Sequence, residues 1–277
     1  MRSLRVAVVG LGLIGGSLAR ALRTAGHQVR GIDRPGVLRA ASRARAIERG
    51  VSLEQAADWA DVLVLAAPPR ANERLLRRLA RLGPARLVVT DVSSVKQPIV
   101  AEARRLALRR FVGGHPIAGS ERSGFGASRA GLFAGAAWVL TPTAETEAGA
   151  LRLVRRLARA AGARPIVLDA ARHDRALAFL SHLPQLVAWA LAGAVRADAV
   201  ARAELRLAGP AWRDMTRLCR SPARLWAQIL AANRIEVVRA VRALRAELGA
   251  GARAVAARGK AERSAIVSAS GTTRRRR

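Results

Sequence analysis

The sequence predicts an α/β protein in which a mostly parallel, doubly wound sheet precedes an all-helical C-terminal domain. Two observations carry this prediction. Up to about residue 170, short apolar runs alternate with stretches of helical apolar spacing, which is the pattern of repeated βα units. From about residue 171 the strand-like runs stop and only helical spacing continues. We therefore expect two domains, residues 1–170 and 171–277.

Seven strands and five intervening helices are expected in the first domain. The apolar runs place strands at 4–10, 27–33, 61–68, 86–91, 110–114, 137–142 and 164–170. Helical spacing occurs around 14–25, 36–48, 70–82, 96–107 and 145–161. In the second domain, the segments 176–195 and 225–248 carry apolar residues at helical spacing. The chain from about residue 258, ending in SASGTTRRRR, is predicted to be a disordered tail.

Composition restricts the functional class. The formal net charge is +30, but nearly all cations are arginines scattered along alanine-rich helices, and Lys96 and Lys260 are the only lysines. Aromatic residues make up 3%, which argues against a base-stacking surface, so we expect no nucleic-acid partner. The sequence has one cysteine and no apolar run near the roughly 20 residues that span a bilayer, so a cytoplasmic protein without a membrane segment is predicted.

The segment GLGLIG at residues 10–15 has the spacing G-x-G-x-x-G between an apolar strand and a helix. This is the dinucleotide fingerprint of Rossmann-type domains. Gly10 would make the tight turn, Gly12 would let the backbone approach a pyrophosphate, and Gly15 would let the helix pack on the strand. Leu13 and Ile14 open the helix, whose free N–H groups attract phosphate.

Further candidates for cofactor binding follow the second and third strands. Asp33 ends the second strand, where a carboxylate binds the ribose 2′-hydroxyl and favours NAD over NADP. The neighbouring Arg34 could receive a 2′-phosphate, so NADP stays open. Ala67 and Pro68 lie where the third strand ends. NAD is the predicted cofactor.

Three polar segments begin where apolar strands stop, namely AAPPR (66–70), DVSSVKQP (91–98) and GGHPIAGS (113–120). Ligands of open α/β sheets bind beyond the carboxyl ends of strands. Ser94, Lys96 and His115 are therefore expected to project into one cleft beside the nicotinamide. The position of His115 between Gly-Gly and Pro is typical of a turn histidine, a metal ligand or a catalytic acid/base.

The chain resembles the prephenate/arogenate dehydrogenase family of tyrosine biosynthesis. The matching segments are GLGLIGGSLARAL (10–22), TDVSSVKQPI (90–99), GGHPIAGSERSG (113–124), LFAGAAWVLTP (132–142), HDRALAFLSHLP (173–184) and WRDMTRLCRSPARLWAQILAANR (212–234). They occur in the family's order. The resemblance implies a nucleotide domain, a helical domain that usually dimerises, and NAD-linked oxidative decarboxylation of prephenate or arogenate without a metal.

The resemblance also implies roles for individual residues. His115 would be the catalytic histidine that bonds the ring hydroxyl, and Ser94 would help to position that hydroxyl. Lys96 belongs to the same S-V-K motif. Arg217 would bind the ring carboxylate, with Arg213 one helical turn earlier. A histidine near neutral pKa suits the proton transfer, and the planar guanidinium of arginine suits a carboxylate.

Each assignment has a plainer alternative. His115 could be a turn histidine, Lys96 a solvated lysine, Ser94 a helix N-cap, and Arg217 a surface cation. The pair His173 and Asp174, which opens the first long helix of the second domain, is interpreted as mainly structural, and His182 either as a core histidine or as part of the site. Ser181 and Gln185 are further candidates for substrate binding. No metal site is predicted.

Two segments depart from the family pattern. Gln185 stands where many members have a second histidine, so it can form hydrogen bonds but cannot titrate. The approach to Arg217 reads AGPAW, in which Pro210 stiffens the loop. Both leave the substrate's side chain undetermined. Two other functions stay open: another small-acid dehydrogenase, such as a β-hydroxyacid dehydrogenase, or a basic nucleic-acid-binding or regulatory protein that retains a nucleotide domain.

Overall fold

The computed structural model describes residues 3–120 and 122–271, with side chains as far as residue 258. Seven strands form one sheet in the order β2-β1-β3-β4-β5-β6-β7. Their bounds are β1 Arg5–Val9, β2 Gln28–Ile32, β3 Val62–Leu65, β4 Val88–Asp91, β5 Phe111–Pro116, β6 Ala137–Thr141 and β7 Arg164–Val167. All neighbouring strands pair in parallel except β5 and β6, which are antiparallel. The predicted mostly parallel sheet is confirmed.

Helices cover both faces of this sheet. They are α1 Leu13–Thr24, α2 Pro35–Arg43, α3 Leu53–Trp59, α4 Pro69–Leu82, α5 Gln97–Arg105 and α6 Ala148–Ala160. One buried cluster joins Val6 and Val8 of β1 to α1 and α6, and the other joins Ala7 and Val9 to α3, α4 and α5. Successive residues of β1 thus face opposite layers, because side chains alternate along a strand. The fold is the doubly wound, Rossmann-type arrangement that the sequence predicts.

Helix α3 was not expected from the sequence. It is only seven residues long, so a helical spacing of apolar residues is hard to recognise in it. Its first turn nevertheless carries a recognisable signal. The Ser52 hydroxyl accepts from the Gln55 backbone N–H, and the Gln55 side chain accepts from the Ser52 N–H, which is a capping box.

The second part of the chain is helical throughout its described residues. It comprises α7 Ala170–Leu177, a π-helical turn Ala178–His182, α8 Leu183–Ala197, α9 Ala199–Ala203, a 3-10 turn Leu205–Leu207, α10 Pro210–Thr216, a second 3-10 turn Arg217–Arg220, α11 Ala223–Ala232 and α12 Arg234–Gly271. The π turn directly precedes Pro184, which has no N–H to donate and whose ring crowds the preceding turn. Helix α12 continues to Gly271, past residue 258, where a disordered tail was predicted, and no proline interrupts the helix along this segment. Residues 272–277 of that tail lie outside the described residues.

The helical part exposes many large apolar side chains. Examples are Leu180, Leu207 and Val255, which are 77%, 77% and 73% exposed. By length and composition alone, the segment Ala170–Ala197 could cross a membrane, because it contains a window of 18 residues with a mean hydropathy of 1.4. Only 22% of that window is buried within the chain. A single such segment is weak support for a membrane span, because apolar helices that pack against protein pass the same test.

Candidate functional site

The turn after β1 has the steric features of a phosphate-binding turn. A Cβ atom at Gly15 would lie 1.8 Å from the Gly10 carbonyl oxygen, so only glycine allows α1 to pack this closely. Gly10 has a φ of +89°, which glycine adopts readily. A Cβ at Gly12 would meet nothing within 4 Å, so the backbone there borders open space. The first turn of α1, with Leu13 and Ile14 at its start, contains no acidic residue. This turn therefore fits a dinucleotide pyrophosphate.

Asp33 braces that turn from the end of β2. Its carboxylate accepts from the backbone N–H of Leu11 at 2.6 Å and from that of Arg34 at 2.7 Å. The Arg34 side chain is 88% exposed and lies 3.9 Å from Asp33. The two residues that could contact a ribose 2′ position therefore lie side by side at the sheet edge.

The loop after β3 is held by a buried asparagine. Asn72 accepts from the Ala67 N–H at 3.1 Å and donates to the Leu65 carbonyl and to the Ser93 hydroxyl. Pro68 is the N-cap residue of α4. The loops after β3 and β4 are thus tied together at the edge of the sheet.

His115 forms the start of a hydrogen-bonded chain that crosses between the two parts of the protein. Its Nδ1 lies 2.9 Å from Nε2 of His173, and Nδ1 of His173 lies 2.7 Å from the Asp174 carboxylate. His115 is half-buried on β5, whereas His173 and Asp174 are fully buried at the start of α7. The sequence interpretation of His173 and Asp174 as mainly structural missed this contact.

Asp174 also caps helix α5 from a distance. Its two carboxylate oxygens accept from the backbone N–H groups of Lys96 and Gln97 at 2.7 and 2.8 Å. These are free donors of the α5 N-terminus, and a negative charge is favourable there. Ser94, the N-cap alternative, does not cap this helix, because its N-cap position is Lys96 and no side chain of the helix's own start caps it. Ser94 is half-buried.

The Lys96 side chain points into the protein interior rather than into an open cleft. Its side chain is fully buried, and Nζ donates to Asp91 at 2.5 Å and to the Gly114 carbonyl at 2.6 Å. Asp91 also accepts from the backbone N–H groups of Gly114 and Ser93. The expectation that Lys96 projects into an open cleft with Ser94 and His115 is therefore corrected, because its side chain is fully buried. A buried ammonium needs an anionic partner, and Asp91 on the neighbouring strand holds it below the Gly-Gly segment.

Burial controls the protonation of the histidines. It lowers the pKa of His115 well below 6.5, and the nearby His173 and Lys96 act in the same direction. Burial also lowers the pKa of His182 to about 4, while the Asp174 carboxylate opposes the shift. Both imidazoles are thus neutral at neutral pH. The pKa of Lys96 is lowered overall, because burial lowers it more than Asp91 and Asp174 raise it.

A second polar chain links this cluster to the arginine segment. Asn233 donates to the Asp174 backbone carbonyl at 2.7 Å, and its amide nitrogen lies 3.1 Å from Nδ1 of His182. One turn further along, the buried Gln185 donates to the Leu218 carbonyl at 2.9 Å. Leu218 follows Arg217 in the 3-10 turn, so Gln185 anchors the turn that carries the predicted carboxylate ligand.

The arginine pair is arranged differently from the prediction. Arg213 lies in α10, whereas that helix ends at Thr216 and Arg217 begins the 3-10 turn. The two side chains are both exposed and do not share one continuous α-helical face. Pro210 is the first residue of α10, where its missing N–H costs nothing. Ser181 is half-buried in the π turn beside His182.

Comparison with known proteins identifies the family. Residues 18–167 match the family model described as prephenate dehydrogenase, nucleotide-binding domain, and residues 169–265 match prephenate dehydrogenase, dimerization domain. The chain belongs to the prephenate dehydrogenase family. It is 38% identical over 235 residues to a probable prephenate dehydrogenase of Streptomyces niveus, covering 83% of this chain and 63% of that protein. A cyclohexadienyl dehydrogenase of Zymomonas mobilis is 32% identical, with 82% and 80% covered.

Solved structures of the family share the fold along almost the whole chain. A prephenate dehydrogenase of A. aeolicus in complex with hydroxyphenyl propionate and NAD+ superimposes with a TM-score of 0.86 at 28% identity, covering 99% of this chain and 98% of that one. An arogenate dehydrogenase of Synechocystis gives 0.79 at 28% identity, with 98% and 99% covered. The chain spans 65% of the Lactococcus lactis relative and 63% of the Streptomyces niveus relative, so it is shorter than some curated members.

In this member of the prephenate dehydrogenase family, the structure connects His115 through hydrogen bonds to residues from both parts of the chain. The sequence missed His173, Asp174 and Asn233 as members of this network. Adjacent His and Asp residues at a helix start are a weak signal, and their partners are 58 and 78 residues away. Among the described residues, no group of three or more His, Cys, Asp or Glu side chains could hold a metal ion.

Proposed function

We propose that this protein catalyses the NAD-dependent oxidative decarboxylation of prephenate to 4-hydroxyphenylpyruvate, or of arogenate to tyrosine. The observation that carries the proposal is the hydrogen-bonded chain from His115 through His173 to Asp174. This chain leaves one nitrogen of His115 able to accept a proton. His115 lies near the carboxyl ends of the parallel strands, where the dinucleotide turn also lies.

The tautomers of the two imidazoles follow from the carboxylate. Asp174 can only accept, so Nδ1 of His173 carries the proton and donates to it. Nε2 of His173 is then an acceptor, and Nδ1–H of His115 donates to it. Nε2 of His115 is left with a free lone pair. A neutral imidazole in this tautomer is a general base.

That base matches the proposed reaction. Bound at the glycine turn, NAD would supply the hydride acceptor for the ring carbon that bears the hydroxyl. His115 removes the hydroxyl proton, so a carbonyl bond forms at that carbon. The ring carboxylate leaves as CO2, and the pair of electrons from the broken C–C bond makes the ring aromatic with the oxygen as a phenolate. The protonated His115 then returns its proton to this oxygen, which restores the hydroxyl. Aromatisation drives the reaction, and the residues assigned here supply the proton acceptor.

Substrate binding is assigned to the helical part. Arg217 would pair with the ring carboxylate, because a guanidinium can bind both oxygens. Its exposure leaves the guanidinium available, and Gln185 fixes the adjoining carbonyl. Ser94, half-buried on the loop that follows β4, would contact the ring hydroxyl. Ser181 and Arg213 complete the proposed set of substrate-binding residues.

The cofactor proposal is supported by the glycine turn and by Asp33. The turn has open space at Gly12, and a carboxylate at the end of β2 favours a free ribose 2′-hydroxyl. The A. aeolicus relative carries NAD+ in its solved structure. Arg34 keeps NADP as an alternative cofactor.

We also propose a homodimer formed through the helical part and located in the cytoplasm. The large apolar side chains exposed on α8 to α12 would be covered in such a dimer, and the matching family model is described as a dimerization domain. Sedimentation velocity at micromolar concentration tests this, since a monomer at all concentrations would contradict it. That the chain binds neither membranes nor nucleic acid stays a prediction.

The activity is tested by following NADH or NADPH formation with the purified protein. Prephenate and arogenate are each supplied with NAD and with NADP. We expect turnover of at least one substrate, and a loss of about 10²-fold or more in kcat for His115→Asn. The exposed Arg81→Gln on α4 is the matched control and should keep full activity. Failure of both substrates with both cofactors would overturn the proposal.

A further inference from the structure

A cleft rich in arginine lies on the outer side of α1, away from the site described above. Its volume is about 550 Å3, within the range of small-molecule pockets. It is lined by residues of α1, of the chain after α2, and of the segment 128–130, including Arg20, Arg23, Arg45 and Arg129.

Positive charge in this cleft is largely uncompensated. Arg23 pairs with Glu48 at 2.8 Å. Arg20, Arg45 and Arg129 form no ion pair with a carboxylate among the residues that the structure describes. Three guanidinium groups around one concave surface repel each other, and this repulsion is relieved when a multiply charged anion binds.

Hydrogen bonds and a ring contact hold the walls of this cleft in place. Nε of Arg20 donates to the Ser128 hydroxyl at 2.9 Å, and its guanidinium lies over the Phe125 ring at 4.7 Å from the centroid. These contacts fix the side chain while leaving its terminal nitrogens unused by the described residues. The backbone N–H of Arg129 donates to the buried Ser17 hydroxyl at 2.9 Å. This bond joins helix α1 to the segment 128–130, which form two walls of the cleft.

We propose that this cleft binds a small molecule that carries a phosphate or pyrophosphate group. Arginine recognises such oxyanions with two parallel hydrogen bonds, and several arginines around one pocket favour more than one charged oxygen group. The site is distinct from the dinucleotide turn, because Arg20 lies eight residues after Gly12, about 12 Å along α1.

Binding there would act on the segment that follows the His115 loop. Phe125 and Ser128 pack against the first turns of α1, where a Cβ at Gly16 would lie within 2.9–3.0 Å of them. An anion held by Arg20 and Arg129 would join this segment to α1 more firmly. We therefore expect bound pyrophosphate to slow hydrogen exchange of the Arg129 amide.

Calorimetric titration of the full chain with inorganic pyrophosphate, at constant ionic strength and with saturating NAD present, tests the proposal. The NAD keeps pyrophosphate from the dinucleotide turn. Binding should weaken about tenfold or more in the double variant Arg20→Gln, Arg129→Gln, which removes two charged donors. The control is Arg81→Gln together with Arg86→Gln, two exposed arginines near the end of α4, and it should bind like the wild type.

Equal weakening in the control pair would show only a general attraction to the basic surface, and unchanged binding in the double variant would place the anion elsewhere. Either result overturns the proposal, as does an absence of binding by wild type. Circular dichroism checks that both double variants fold. None of these outcomes depends on dehydrogenase activity, so the site can fail or stand independently of the proposed function.

Discussion

Nδ1 of His115 and Nε2 of His173 lie 2.9 Å apart, although 58 residues separate them in the chain. His115 belongs to β5, the last of the five strands that run parallel to one another in the order β2-β1-β3-β4-β5, and His173 belongs to the first helix of the second part. Because Asp174 fixes the tautomer of His173, this contact sets which nitrogen of His115 is free. The proposed general base is therefore held by residues from both parts of the chain.

Replacing His173 should lower kcat more than it changes KM. In His173→Leu, Nδ1–H of His115 loses its acceptor, and the tautomer with a free Nε2 is no longer favoured. We expect kcat to fall about 10- to 100-fold, with KM within about threefold of wild type. The control is His27→Leu, since His27 is also buried and its side chain, among the described residues, bonds only the Leu4 N–H. A fall in stability without a selective loss of kcat would argue for a purely structural role of His173.

Acid should destabilise the protein through its buried neutral histidines. The folded-state pKa of His182 is about 4, below the unfolded value of 6.5. The unfolded chain therefore binds more protons between these values, so stability is full above pH 6.5 and is lost as pH falls towards 4. The loss attributable to His182 is on the order of 3 kcal/mol. Urea unfolding at pH 7.5 and pH 4.5 measures it.

The comparison needs a variant that lacks the titrating group. His182→Asn leaves a side chain that can bond Asn233 but does not titrate in this range. Its free energy of unfolding should decline less between the two pH values than that of wild type. An equal decline in both proteins would assign the acid sensitivity to other groups. His115, whose pKa is also lowered by burial, adds to the decline in both.

Breaking the buried pair of Lys96 and Asp91 should be costly. In Lys96→Met, Asp91 keeps its two backbone donors but loses its counter-charge in a fully buried place. We expect the free energy of unfolding to fall by about 3–5 kcal/mol. The exposed pair of Arg104 and Glu145 supplies the control, because Arg104→Met should cost at most about 1 kcal/mol. Similar losses of unfolding free energy in both variants would show that breaking the buried pair costs no more than breaking the exposed one.

Gln185 should govern substrate affinity through the Arg217 turn. Gln185→Leu removes the donor to the Leu218 carbonyl while roughly preserving side-chain size. We expect KM to rise about five- to tenfold with little change in kcat, since one hydrogen bond is worth about 1 kcal/mol. Gln28→Leu, an exposed position at the start of β2, should change neither. A fall in kcat with constant KM would place Gln185 with the reacting groups instead.

Much of the fold was predictable because burial on both faces makes central parallel strands continuous apolar runs. The apolar runs VAVV and VLVL, in β1 and β3, are recognisable as strands without knowledge of their tertiary contacts. Helix α3 was overlooked, since seven residues give little periodicity, although Ser52 and Gln55 mark its start. The extent of α12 was underestimated because the glycine and serine residues of 258–271 resemble a tail, although no proline ends the helix there.

The site was predictable only in part. His115 and the glycine turn have local signatures, so the sequence shows them directly. The direction of Lys96 depends on Asp91 and Gly114 of neighbouring strands, which no local pattern reveals. The same holds for Asp174, whose charge suits its own helix start but in fact caps α5. Long-range partners decide these roles, and spacing along the chain cannot supply them.

Two glycines of the dinucleotide turn should respond to substitution in opposite ways. Gly12→Ala meets nothing within 4 Å, so it should fold with nearly unchanged thermal stability, yet its methyl group would occupy the space that a pyrophosphate needs. We expect its Kd for NAD to rise about tenfold or more. Gly15→Ala would place a methyl carbon 1.8 Å from the Gly10 carbonyl oxygen, so its main effect should be a lower melting temperature. Calorimetric NAD titration and thermal unfolding of both variants separate the two effects. Normal NAD affinity in a stable Gly12→Ala protein would show that the pyrophosphate does not approach the backbone at this turn.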